Sequence, residues 1–157
     1  MKKNRKILFA AIAIAALAAG CNGGVTSPNQ SLNPGALIAD FPDGTGYNSA
    51  SAHVVDESSD YAITSTQDVV GNADEISLTI PKGVSLPYTV NATGLTRVTF
   101  FASTTSRQFE ANAAQGSCSI TVTQVSPTVE GYFSATVICT SPSDSRVLSG
   151  GQFNATF

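Results

Sequence analysis

The sequence predicts an all-β domain: an antiparallel β-sandwich or open barrel of about nine short strands. Three observations carry this. No segment after residue 20 keeps a helical apolar period over a full helical window. Ser and Thr are abundant, charges are sparse, Trp is absent and the one Met is Met1, the composition of a secreted all-β domain. Short runs rich in β-branched and aromatic residues recur between clusters of Gly, Pro, Asn and Asp, at the intervals of sandwiches and barrels.

The clearest element is the stretch Gly116–Cys139, GSCSITVTQVSPTVEGYFSATVIC. Cys118–Val125 and Tyr132–Cys139 alternate in character, and Ser126–Gly131 between them holds a Pro and a Gly, so a β-hairpin with a longish loop is expected. Setting Cys118 opposite Cys139 places Ile120/Val137, Val122/Ala135 and Gln124/Phe133 on the same face. The other face then holds Ser119/Ile138, Thr121/Thr136, Thr123/Ser134 and Val125/Tyr132. The first face is almost wholly apolar and the second mainly hydroxyl, a sorting that a one-residue slip would destroy. This register predicts a disulfide between Cys118 and Cys139. Closing a loop of that size contributes roughly 3 kcal/mol.

The other strands follow in order. Ala36–Phe41 is a short apolar run ended by Pro42-Asp43-Gly44. Tyr47–Val55 alternates loosely, and Asp56–Ser59 is a polar turn. Tyr61–Thr66 is a strand, and Gln67–Asp74 reads as a connection. Glu75–Ile80 sets Ile76, Leu78 and Ile80 on one face, and Pro81-Lys82-Gly83 ends it. Tyr88–Asn91, Thr96–Ala102 and Phe109–Ala111 are short strands. After Cys139, Ser141–Ser145 reads as a turn. Gln152–Phe157 closes the chain with Phe153, Ala155 and Phe157 on one face. One internal echo is present: GYFSATV from Gly131 resembles GQFNATF from Gly151.

The first 20 residues stand apart from this fold. Lys2, Lys3, Arg5 and Lys6 precede the apolar run Ile7–Leu17, which is too short to span a bilayer and reads as a secretory signal. Its ending, Leu17-Ala18-Ala19-Gly20-Cys21, resembles the lipobox of bacterial lipoproteins, with Ala18 in the usual Leu place and Leu17 one position early. The resemblance implies cleavage before Cys21, a thioether-linked lipid on it, and acylation of its amino group with a palmitate-like chain. The lipid bilayer is then a partner through those chains. Residues 21–35 form the lipidated Cys and a tether of Asn, Gly, Ser and Pro. Residues 36–157 form the single domain. By resemblance to enterobacterial lipoproteins, in which Asp after the Cys favours the inner membrane, Asn22 points to the outer membrane of the envelope.

Charge excludes some partners. After residue 20 only Lys82, Arg97, Arg107 and Arg146 face eleven acids, a net of −7. So acidic a domain does not suit nucleic acid, nor electrostatic attraction to anionic lipid.

Candidate chemistry is thin, and no cofactor, catalytic residue or metal ligand is assigned. His53 is the one histidine; a triad would need it as base, yet no Gly-x-Ser-x-Gly elbow accompanies it. Transition metals need clusters of His, Cys or carboxylate. Calcium stays open at Asp40/Asp43 and Asp56/Glu57/Asp60, where carboxylates share turns, though acids there more often bond local backbone. Tyr47, Tyr61, Tyr88, Tyr132, Phe100 and Phe101 could form an aromatic platform for glycans, although most are expected in the core. Tyr132, on the hydroxyl-rich face, is the best single candidate for ligand contact.

Residues 36–157 also resemble small bacterial lipoprotein domains of uncharacterised function. The shared features are Ala36–Phe41 before Gly44 and an aromatic at Tyr47, the strand Ile76–Pro81, then Tyr88–Val90. Gly131–Thr136 and Gly151–Phe153 follow. Many members have Trp at the Tyr47 position. The resemblance implies a sandwich or open barrel and carries no activity. Together these readings predict a lipid-anchored, non-catalytic envelope protein with a structural or interaction role. The alternative is a module binding a glycan or small ligand, with an envelope protein or glycan as partner.

Overall fold

A computed structural model describes residues 31–157 apart from 70, 71, 84, 141 and 142. The signal, Cys21 and residues 22–30 of the tether lie outside the described residues. The described chain is all-β. Its strands are β1 (Ala36–Asp40), β2 (Gly46–Ser49), β3 (His53–Asp56), β4 (Asp60–Val69), β5 (Asn72–Pro81), β6 (Tyr88–Asn91), β7 (Arg97–Ala102), β8 (Arg107–Ala111), β9 (Ser117–Gln124), β10 (Thr128–Thr140) and β11 (Ser143–Thr156). They form one mostly antiparallel sheet, in the order β2-β1-β11-β3-β4-β5-β7-β8-β10-β9-β6, and β10 also pairs with β11.

Several expected strands are longer or divided. Tyr47–Val55 splits into β2 and β3, because the chain leaves its pairing with β1 to pair with β4. At the break, Ser49 Oγ and Ser51 Oγ donate to the Thr66 carbonyl at 2.6 and 2.9 Å. The expected connection Gln67–Asp74 is mostly strand. The β4–β5 ladder runs from Asp60↔Pro81 out to Val69↔Asn72. The turn expected at Ser141–Ser145 is partly outside the described residues, and Ser143 onward is already β11.

The hairpin of β9 and β10 forms, with the expected faces but another register. Cys118 lies opposite Ala135, Ile120 opposite Phe133, and Val122 opposite Gly131. The strands are displaced by four residues from the Cys118/Cys139 alignment. An even displacement keeps every side chain on its face, so the apolar sorting survives. Cys118, Ile120, Val122, Phe133, Ala135, Val137 and Cys139 are all buried. Gln124 leaves that face through an irregularity at Glu130/Gly131. Four residues along a strand are roughly 13 Å, well beyond the Cα separation a disulfide tolerates. The expected Cys118–Cys139 bond is therefore not formed, and both residues are thiols. Cys139 instead faces Asp144 of β11.

β10 and β11 hold the middle of the fold through the longest ladder, from Thr128↔Thr156 to Thr140↔Ser143. The echoed segments pair here, with Gly131 opposite Phe153 and Phe133 opposite Gly151. The core gathers Leu37, Tyr47, Ile63, Ile76, Leu78, Phe109, Ile120, Phe133, Leu148 and Phe153, all essentially buried. Tyr47 belongs to this core. Its hydroxyl donates to the Ser65 carbonyl at 2.5 Å, giving a buried phenol the partner it needs.

Candidate ligand-binding face

Along β10, Val129, Phe133, Ala135 and Val137 point into the core, so Glu130, Tyr132, Ser134 and Thr136 point outward. β10 lies between β9 and β11, which puts Tyr132 directly between Thr121 and Gln152. The same cross-strand row continues through Ile38 to Asn48 on one side and to Thr89 on the other. Six strands thus contribute one residue each: Asn48, Ile38, Gln152, Tyr132, Thr121 and Thr89. Paired residues share a face, so this row is a continuous strip across the sheet. Thr89 and Thr121 share a hydrogen bond at 2.8 Å. Tyr132 is 43% exposed, while Gln152 beside it is 5% exposed.

The flanking rows are also polar. One contains Asn154, Glu130 and Gln124; the other holds Asp40 and Ser149 on one side of the β10–β11 irregularity and Ser134, Ser119 and Asn91 on the other. Glu130 is held in place, its Oε1 accepting from Thr128 Oγ1 at 2.9 Å and Gln124 Nε2 at 3.0 Å. No Lys or Arg lies in these three rows.

Beside the strip, residues 31–33 form one wall of an open cleft of ≈ 480 Å³, whose other lining includes Ile38, Asp40 and Asn48. Local hydrogen bonds fix that wall. Asn154 Nδ2 donates to the Leu32 carbonyl at 2.9 Å, Gly35 N–H to the Asn154 carbonyl at 2.7 Å, and Ala52 N–H to the Gly35 carbonyl at 2.6 Å. Asn154 Oδ1 is fully buried and has no donor.

Of the six aromatic residues considered for a platform, Tyr132 alone stands exposed in this strip. Tyr47 and Phe100 are in the core, Tyr61 and Tyr88 are half-buried against it, and Phe101 is on β7. The neighbours that give Tyr132 its setting, Gln152 and Thr121, come from β11 and β9, and the cleft residues Asn33 and Asn48 come from segments far from them in sequence. The one sequence signal for them was the polar alternation of Gln152 and Asn154 with Phe153 and Ala155.

The remaining candidates lie apart. His53 is exposed at the start of β3, its Nδ1 at 3.4 Å from the Ser51 carbonyl. Asp43, Asp56 and Asp60 of the two turns have side-chain partners. Asp43 Oδ1 accepts from Thr45 N–H at 2.9 Å and Thr45 Oγ1 at 2.5 Å, and that hydroxyl bond above all holds its pKa below the ordinary value. Asp56 pairs with Lys82 at 2.5 Å, and Asp60 accepts from Ser59 Oγ at 2.7 Å. Among the described residues, no three His, Cys, Asp or Glu side chains come together to hold a metal.

Burial pushes the Cys118 thiol up from its ordinary pKa, the setting of an inert structural cysteine. Cys139 meets Arg107. Hydrogen bonding to that sulfur and then to Asp144 raises the Arg107 pKa, with the guanidinium 2.9 Å from Asp144 Oδ2.

No family model matches the chain, and no curated protein or solved structure is significantly similar to it.

Proposed function

We propose that the chain is a lipid-anchored, non-catalytic protein of the bacterial cell envelope with a structural or interaction role. The carrying observation is Leu17-Ala18-Ala19-Gly20-Cys21 behind a basic start and the apolar run Ile7–Leu17. Acyl chains on Cys21 hold the protein to the bilayer, since two chains suffice without electrostatic attraction. Asn22 favours the outer membrane. The pinning of Leu32 and Gly35 supports a short leash: the stretch from Cys21 to Leu32 spans at most roughly 40 Å fully extended.

Within this proposal the sheet is a two-layer sandwich, with β2-β1-β11-β10-β9-β6 facing β3-β4-β5-β7-β8. Two observations support the layering. The joins β11–β3 and β10–β8 each rest on a single residue pair, Thr156↔His53 and Ile138↔Glu110. Side chains also bridge the two sets, as when Phe41 meets Phe100 at 5.2 Å and Tyr47 bonds Ser65.

A second reading, carbohydrate recognition, is favoured by one observation: Tyr132 is exposed in the middle of an amide- and hydroxyl-rich face.

Intact mass of the membrane-extracted protein tests the anchor. The expected mass is residues 21–157 plus acyl groups. It stays unchanged under reductant, because Cys118 and Cys139 are thiols. An unlipidated mass sinks the anchor reading.

A further inference from the structure

We infer that the strip from Asn48 to Tyr132, together with the cleft beside it, binds a neutral oligosaccharide of two or three pyranose units lying across the strands. This rests on the carbohydrate reading above and gives it a site and a ligand class.

The geometry suits such a ligand. Neighbouring strands lie about 4.8 Å apart, so Ile38 and Tyr132, two strands apart, stand roughly 10 Å from each other, about the span of two linked sugar rings. Tyr132 offers a flat apolar ring for the C–H face of one sugar. The cleft offers Ile38 as an apolar wall, with the Asp40 carboxylate and the Asn48 and Asn33 amides for vicinal hydroxyls. Its volume lies in the usual range for small-molecule sites, which pair an apolar lining with a few placed polar groups.

Charge selects among ligands. Asp40 and Glu130 are the charged residues of the three rows, so the face disfavours anions. The four cations of the domain are engaged elsewhere: Lys82 with Asp56, Arg97 with Glu110, Arg107 with Asp144, and Arg146 against the Phe109 ring. A phosphate-bearing or uronic-acid ligand would find no Lys or Arg within these rows.

The test titrates full-length protein, in a detergent without a sugar headgroup, with cellotriose, triacetylchitotriose, glucose and trigalacturonate. At least one neutral trisaccharide is expected to bind, with glucose and trigalacturonate each at least about tenfold weaker. Tyr132→Ala and Asn48→Ala are expected to weaken trisaccharide binding about tenfold, while Tyr132→Phe, which keeps the ring, retains most of it. Both positions are exposed, and unchanged thermal midpoints would show that the variants remain folded. Trisaccharide binding that survives both alanine variants would overturn this site and leave the carbohydrate reading standing. No binding of either neutral trisaccharide would overturn both. Preference for trigalacturonate would overturn the charge argument and the site with it.

Discussion

Gly131 stands opposite Phe153 and Gly151 stands opposite Phe133, so β10 and β11 make the same glycine–phenylalanine contact in both directions. A Cβ on Gly151 would lie 2.6 Å from the Phe133 ring, and one on Gly131 would lie 2.6 Å from the Phe153 ring. The two rings meet each other at 6.5 Å between centroids. Each glycine is thus the space its partner's phenylalanine occupies, a familiar reason for glycine inside a strand.

Gly151→Ala is expected to destabilise the domain by about 1–3 kcal/mol, the usual cost of overpacking. Gly131→Ala is expected to cost more, because its Cβ would also strike the Thr121 backbone carbonyl. Urea unfolding measures both. In a double-mutant cycle, Phe133→Leu should recover part of the Gly151→Ala loss while Phe153→Leu should not. Equal behaviour of the two leucine variants would reject the reciprocal contact.

Tyr47→Phe removes the donor to the Ser65 carbonyl and is expected to cost about 1 kcal/mol. Burial raises the Tyr47 pKa in the fold. A folded pKa raised above the unfolded value means full stability below the unfolded pKa of about 10 and a loss as pH rises beyond it. Thermal midpoints from pH 8 to 11 should therefore fall more steeply in wild type than in Tyr47→Phe.

Asp144 behaves in the opposite sense. The Ser145 N–H bond, and then the Arg107 guanidinium, hold its pKa below the ordinary carboxylate value. Its contribution is complete above the unfolded pKa of about 3.9 and is lost as pH falls through the lower folded value. Between pH 5 and 2, wild type should lose more thermal stability than Asp144→Asn. Parallel curves would show that Asp144 is not coupled to folding.

How far the sequence disclosed this structure depends on the kind of information each feature needs. The alternation of Cys118–Val125 and Tyr132–Cys139 correctly sorted core from surface and put Tyr132 outside. It could not fix the register, because displacements by two or four residues preserve the same alternation. A contact that belongs to the observed register is the close approach of the Thr121 carbonyl to Gly131, which leaves no room for a Cβ. Gly131 also misled in another way. Read locally it marks a loop, yet it sits within β10 because a neighbouring ring fills its missing side chain. Ser143–Gly151 was missed as strand because its exposed residues follow no clean alternation up to the register shift between Phe133 and Ala135 of β10. The cleft was illegible because Asn33, Asp40 and Asn48 come together, and Tyr132 joins their face of the sheet, only through strand order.

The hydrogen bonds at Gly35 have a mechanical consequence. In the proposed chain anchored at Cys21, a pull between membrane and domain reaches the fold first at Leu32, held by Asn154, and then at Gly35. Gly35 is clamped by Asn154 and Ala52, and the next residues are β1, paired on both sides by β2 and β11. Force along β1 therefore loads its rungs together in shear instead of opening them one at a time. Such a strand yields only when its rungs fail together.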